Sequence, residues 1–209
     1  MTSPFQLGTH VATVRTVASP GQVLGAFIYV LPNGFPRVGV NMIAAQSAVE
    51  TLHWNSMHNW NAGNTTPSLA QLKKGIAWMD QGFVGQMQYI SYPSLIAGCA
   101  GMVSFIKAYG AIPYAQNGDL PGYMGRLQAR CYLGCVGNVD PTTNRPIPAY
   151  SYVAYQAGIA SYMAKLANVT PEIPAWWNFL TPLDWTFTAA GVVGVAALSL
   201  ALIRRPGSL

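Results

Sequence analysis

Apolar positions in this chain gather in long uninterrupted runs instead of alternating with polar ones, and the cleanest run is near the end. Between Asp184 and Arg204 lie 19 residues without a charge, DWTFTAAGVVGVAALSLALIR including the two flanks. At ~1.5 Å per residue that is roughly 28 Å of helix, close to the ~30 Å of a bilayer's hydrocarbon. Thr181-Pro182-Leu183-Asp184 supplies a capping hydroxyl, a proline in the first turn and an acid at the positive end of the helix dipole. Arg204 and Arg205 suit the other end, and Pro206-Gly207 stops the helix. The pattern predicts a membrane-spanning helix over 181–205, with Trp185 at one interface. Ala190 and Gly194, with Gly191 beside them, form a small-residue stripe for close packing against another helix.

Earlier runs are shorter and more broken. Residues 1–21 read as an extended arm ending at the Ser19-Pro20-Gly21 turn. In 22–54 two apolar stretches flank Pro32-Asn33-Gly34-Phe35-Pro36. They read as short re-entrant or interfacial segments, or else as a helical hairpin of about 11–31 and 37–54, with the first reading preferred. Residues 55–81 read as an interfacial loop and an amphipathic helix; the polar stretch 50–66 is rich in Asn, His and Trp, and its Trp54 and Trp60 suit the headgroup level. Thr66-Pro67-Ser68 with Gln71 then opens an amphipathic helix running towards Asp80, with Leu69, Leu72, Ile76 and Met79 on one side.

Residues 82–112 hold the second spanning candidate, charge-free from Gln81 to Ile106 but carrying Pro93. Ala97 and Gly101 are four apart, a spacing that lets another helix approach. Residues 113–148 are punctuated by Pro, Gly, Asn and Asp and read as a loop that wraps neighbours, with a helical piece at about 123–136. Residues 149–180 hold a further helix over 149–167, with Ala154 and Gly158 as packing positions, followed by the interfacial pair Trp176-Trp177. The expected fold is mainly α: an integral membrane protein with a C-terminal transmembrane helix, one to three further membrane or interfacial helices and long irregular loops.

Composition sharpens this. Charged residues make up 8% of the 209, against roughly 25% in soluble proteins, so much of the surface is expected to face lipid or other subunits. The net charge of +5 comes without a basic cluster interleaved with aromatics, which suits anionic lipid and not nucleic acid. The first acid is Glu50, so the opening segment resembles a weak organellar import sequence. The expected location is the mitochondrial inner membrane, with the C-terminus on the positive, matrix or cytoplasmic side.

Chemistry is sparse in the sequence. Glu50, His53 and His58 form its one carboxylate–histidine cluster, but a di-iron bundle needs two Glu-x-x-His motifs and two further glutamates, whereas Glu172 is the only other one. The cluster therefore reads as polar side chains at an interface. Cys131 and Cys135 are spaced C-x3-C, unlike the redox CxxC, and with Cys99 make three thiols without a fourth ligand for zinc. They read as buried packing; whether Cys131 and Cys135 pair stays open. No phosphate loop or Ser-His-Asp motif is present. The strip Gly98-Cys99-Ala100-Gly101, after a hairpin-like segment, resembles the small-residue helices of the Tim17-like family over about one helix. No residue role follows from that likeness.

The function expected from sequence is non-catalytic: an accessory or assembly subunit of a large membrane complex, such as a respiratory-chain or ATP synthase complex. Its partners would be other subunits and lipids such as cardiolipin, and no catalytic residue, cofactor or metal is expected. The alternatives are a four-helix transporter or Tim17-like translocase component, a membrane-bound redox subunit, and a virion membrane protein.

Overall fold

The computed structural model describes residues 8–80, 88–130, 132 and 152–173. Its architecture is mainly α: among the described residues, seven helices surround one buried core, with two small sheets at its side. The extended arm forms β1 (Thr9–His10) and β2 (Arg15–Thr16). Then come α1 (Pro20–Val30) and α2 (Arg37–Glu50), packed on each other across the proline-rich turn. Two short helices thus flank the turn, where the sequence offered short re-entrant segments or a hairpin of about 11–31 and 37–54. The helices are shorter than the sequence pattern allowed, because Ser19 and Gln22 form a capping box that starts α1 at Pro20.

Helix α2 is the centre. Gly39 to Ala48 are all buried, and ten consecutive residues cover every face of a helix. It is enclosed by α1, by α5 (Ile112–Gln116) and, most extensively, by α7 (Tyr152–Leu166). Its polar side chains are satisfied in part. Arg37 Nε donates to Asn41 Oδ1 at 2.8 Å, and Tyr123 donates to Gln46 Oε1. An Arg37 amino group also reaches the carbonyls of Leu166 (3.3 Å) and Val169 (2.7 Å), a cation at the negative end of α7.

The segment after α2 contains β3 (Met57–His58), antiparallel to β2 with Arg15 opposite His58. Ser68 and Gln71 form the expected capping box, but α3 (Leu69–Lys73) lasts only five residues. Gly75, at φ +79°, turns the chain into β4 (Ala77–Asp80), which runs parallel to β1 and antiparallel to β5 (Gln88–Ile90). Trp78 and Met79, expected on a surface helix, are buried strand residues.

The expected span over 82–112 is replaced by a strand and a short helix. Helix α4 (Leu95–Tyr109) has 15 residues, begins at the Ser94 cap just after Pro93 and ends at left-handed Gly110. Among the described residues no helix is long and apolar enough to cross a membrane. The expected C-terminal span, 181–205, lies outside the described residues. Within the expected wrapping loop 113–148, α5 and α6 (Leu120–Ala129) form a compact pair against α2 and α7.

Finally, Thr170–Ile173 folds back over the start of α1. Glu172 N donates to Gly21 O at 2.9 Å and Ser19 Oγ donates to Glu172 Oε1 at 2.6 Å. A side chain at Gly25 would run into the Glu172 carbonyl.

Candidate active site around Glu50

Glu50 is the last residue of α2 and the first acid in the chain. A glutamate closing a helix whose ten residues Gly39 to Ala48 are buried and uncharged is placed against apolar packing, and three segments converge on it. Tyr132, just past α6, donates its hydroxyl to Glu50 Oε1 at 2.8 Å. Tyr155 of α7 donates to the same oxygen. Asn64 Nδ2 donates to the Glu50 main-chain carbonyl, one of those left open at a helix end. Burial pushes the Glu50 carboxyl above the usual carboxylate range, and the two tyrosine hydroxyls pull partly against that shift. Burial also raises the hydroxyls of Tyr132 and Tyr155, and the nearby carboxylate adds to it.

The backbone beyond Glu50 is unusual. Leu52, His53 and Trp54 all lie in the left-handed region, at φ +46°, +64° and +60°, a conformation costing roughly 1–2 kcal/mol for each such residue. The loop is held by Trp54 Nε1 donating to Ser47 Oγ (3.0 Å), Ser47 Oγ donating to Ala62 O (2.5 Å), and Thr51 Oγ1 accepting from Trp54 N (3.1 Å). Asn59, Trp60 and Asn64 are left-handed as well. Strain concentrated next to a desolvated carboxyl is a mark of a functional site.

Aromatic rings extend outward from Glu50. Tyr155 and Tyr132 have centroids 6.1 Å apart, Tyr132 and Tyr109 5.5 Å, Tyr132 and Phe105 5.9 Å, and Phe105 and Tyr109 4.9 Å. All four are half-buried, as is Glu50, so the row is partly open to solvent. Gln46, one turn before Glu50, has a buried Nε2 without a partner, and Asn64 has a buried Oδ1 without one.

The sequence-derived sites fall as follows. Glu50 and His53 do not share a helix face, because α2 ends between them; His53 stacks on Tyr162 at 4.6 Å, and His58 lies in β3. Among the described residues no three of His, Cys, Asp and Glu gather to hold a metal. Cys99 is buried with a free thiol, pushed up by desolvation; Cys131 and Cys135 lie outside the described residues.

Trp54, expected at a lipid headgroup, is buried at 2% exposure, while Trp60 is half-buried. Close packing occurs around Gly101, but against the Tyr92 ring and not a helix, and Ala97 is half-buried. Gly158 meets α2 at Val49, with 3.4 Å left for a methyl group, whereas Ala154 is on the exposed side of α7. Ala190, Gly191, Gly194, Trp176, Trp177, Trp185, Arg204 and Arg205 lie outside the described residues.

Comparison of the chain with protein-family models, curated proteins and solved structures returned no match. The functional reading therefore rests on the geometry around Glu50.

Proposed function

We propose that the folded part of the chain is a hydrolase of glycosidic bonds, with Glu50 as its proton donor. The observation that carries this reading is a desolvated glutamate held by two tyrosine hydroxyls on one oxygen. A carboxyl raised in this way holds its proton to higher pH than an exposed glutamate does and can give it to a leaving oxygen. Acetal cleavage suits a lone acid. Protonation of the bridging oxygen lets the C–O bond break with its electron pair going to that oxygen. Water then adds to the anomeric carbon and returns a proton to Glu50. The row of rings fits as well, since aromatic faces bind sugar rings without needing fixed charge.

Among the described residues no carboxylate contributes to the shift at Glu50. This reading takes as its nucleophile water or a group of the sugar itself, such as a 2-acetamido oxygen. That favours glycans built from N-acetylated amino sugars. The test is release of reducing ends from chitin oligosaccharides, cell-wall peptidoglycan and neutral glucans, comparing wild type with Glu50→Gln. Cleavage of the N-acetylated substrates that falls at least ~100-fold in the variant supports the reading. Equal rates in the two proteins defeat it.

A second reading is favoured by the charge-free run 185–203 followed by Arg204 and Arg205. It is the membrane-held, non-catalytic accessory subunit of a respiratory or ATP synthase assembly, located in the mitochondrial inner membrane. Its test is co-migration with a large complex on native gels. A Gly194→Leu change that leaves such co-migration intact would remove the proposed packing stripe. The first reading departs from the non-catalytic expectation drawn from the sequence, and Glu50→Gln separates the two.

A further inference from the structure

We propose that Tyr132 and Tyr155 are positioning residues that confine the Glu50 proton to Oε2, aiming it at the scissile oxygen. This inference rests on the reading of Glu50 as proton donor. Both hydroxyls donate to Oε1, Tyr132 at 2.8 Å. A carboxyl oxygen that accepts two donors has no lone pair left for its own proton, so the proton belongs on the other oxygen. The two tyrosines also come from different elements, one following α6 and one within α7, so the carboxyl plane is fixed from two directions.

Two titratable groups act on Glu50 among the described residues, Tyr132 and Tyr155 of α7, while Tyr123 of α6 feels the Glu50 charge in turn. Tyr123 donates to Gln46 Oε1 instead of to the carboxyl, and His53 faces Tyr162. The two direct donors both favour the charged carboxylate. Removing either hydroxyl while keeping its ring therefore raises the titration midpoint of Glu50. It also lets the carboxyl rotate away from its productive orientation.

The experiment uses the full chain and its Tyr132→Phe, Tyr155→Phe and Glu50→Gln forms, with folding checked by circular dichroism. Carboxyl titration is followed by difference infrared spectroscopy, the Glu50 band being the one lost in Glu50→Gln. The midpoint is expected to rise by about one pH unit in each Phe variant, the size of one charge-assisted hydrogen bond. With chitin oligosaccharides kcat is expected to fall ~10-fold or more at unchanged KM, and the alkaline limb of the pH profile to move upward with the titration. An unmoved infrared midpoint in both Phe variants overturns the positioning role, whatever the activity. An active Glu50→Gln overturns the hydrolase reading, so the two failures are distinguishable.

Discussion

Trp54 donates its indole N–H to Ser47 Oγ at 3.0 Å, across the turn that reverses the chain after Glu50. Ser47 passes the contact on by donating to Ala62 O at 2.5 Å. Both groups are buried, so Ser47→Ala leaves a donor and an acceptor without partners. Each orphan costs about 1–3 kcal/mol, and a loss of about 2–4 kcal/mol is expected in urea unfolding followed by tryptophan fluorescence. A loss below ~0.5 kcal/mol would mean that the relay contributes nothing to holding the loop.

Glu50 makes stability depend on pH. Its folded-state pKa lies above that of the unfolded chain. The stability linked to its protonated form is fully present below the unfolded value, and it is lost as pH rises through the folded one. Glu50→Gln removes that loss. The variant should match wild type near pH ~4 and exceed it at pH ~7–8, by on the order of 1 kcal/mol. Calorimetry at the two pH values checks this; a difference in Tm that does not change with pH counts against a desolvated Glu50.

Asn59 joins its own segment to two others and is itself left-handed, at φ +45°. Its Oδ1 accepts from Val14 N at 2.5 Å, and its Nδ2 donates to Ala12 O and Ser91 Oγ, both at 3.0 Å. Asn59→Ala should cost about 2–4 kcal/mol, and Asn59→Asp should cost more because a carboxylate cannot donate to Ala12 O. Hydrogen exchange at the Val14 amide should accelerate in the Ala variant. Unchanged protection there would remove the asparagine from the account of how the arm is docked.

Two glycines make opposite forecasts. A methyl group at Gly98 would run into the Trp60 carbonyl, whereas at Gly125 nothing lies within 4 Å. Gly98→Ala should destabilise by about 1–3 kcal/mol or more. Gly125→Ala, in the interior of α6, should stabilise by roughly 0.5–1 kcal/mol. Thermal melts that rank the two the other way would contradict the close approach of α4 to the loop at Trp60.

The mainly α character was legible in the chain because its signals are local. Ser68 with Gln71 marked the start of α3, and the small-residue helix over 149–167 is α7 to within three residues. What the pattern hid is long-range. Helix α2 is enclosed by protein on every side, so its apolar run carries no amphipathic period and resembles a segment meant for lipid. The run through Gln81 to Ile106 concealed a break at Pro93, where β5 gives way to α4. At Glu50 attention fell on His53 and His58, its neighbours in sequence. Its partners Tyr132 and Tyr155 lie 82 and 105 residues away. The available clue was the acid itself, first in the chain and placed at the end of a run, Val38–Val49, that carries no charge.

The strap formed by Thr170–Ile173 has a mechanical consequence. Its contacts, Glu172 N on Gly21 O and Ser19 Oγ on Glu172 Oε1, lie between the end of α7 and whatever follows Ile173. Tension from the following residues therefore meets α1 through these contacts before it reaches α7 or the Arg37 clamp at Val169, so the strap stands between that end of the chain and the packing around Glu50.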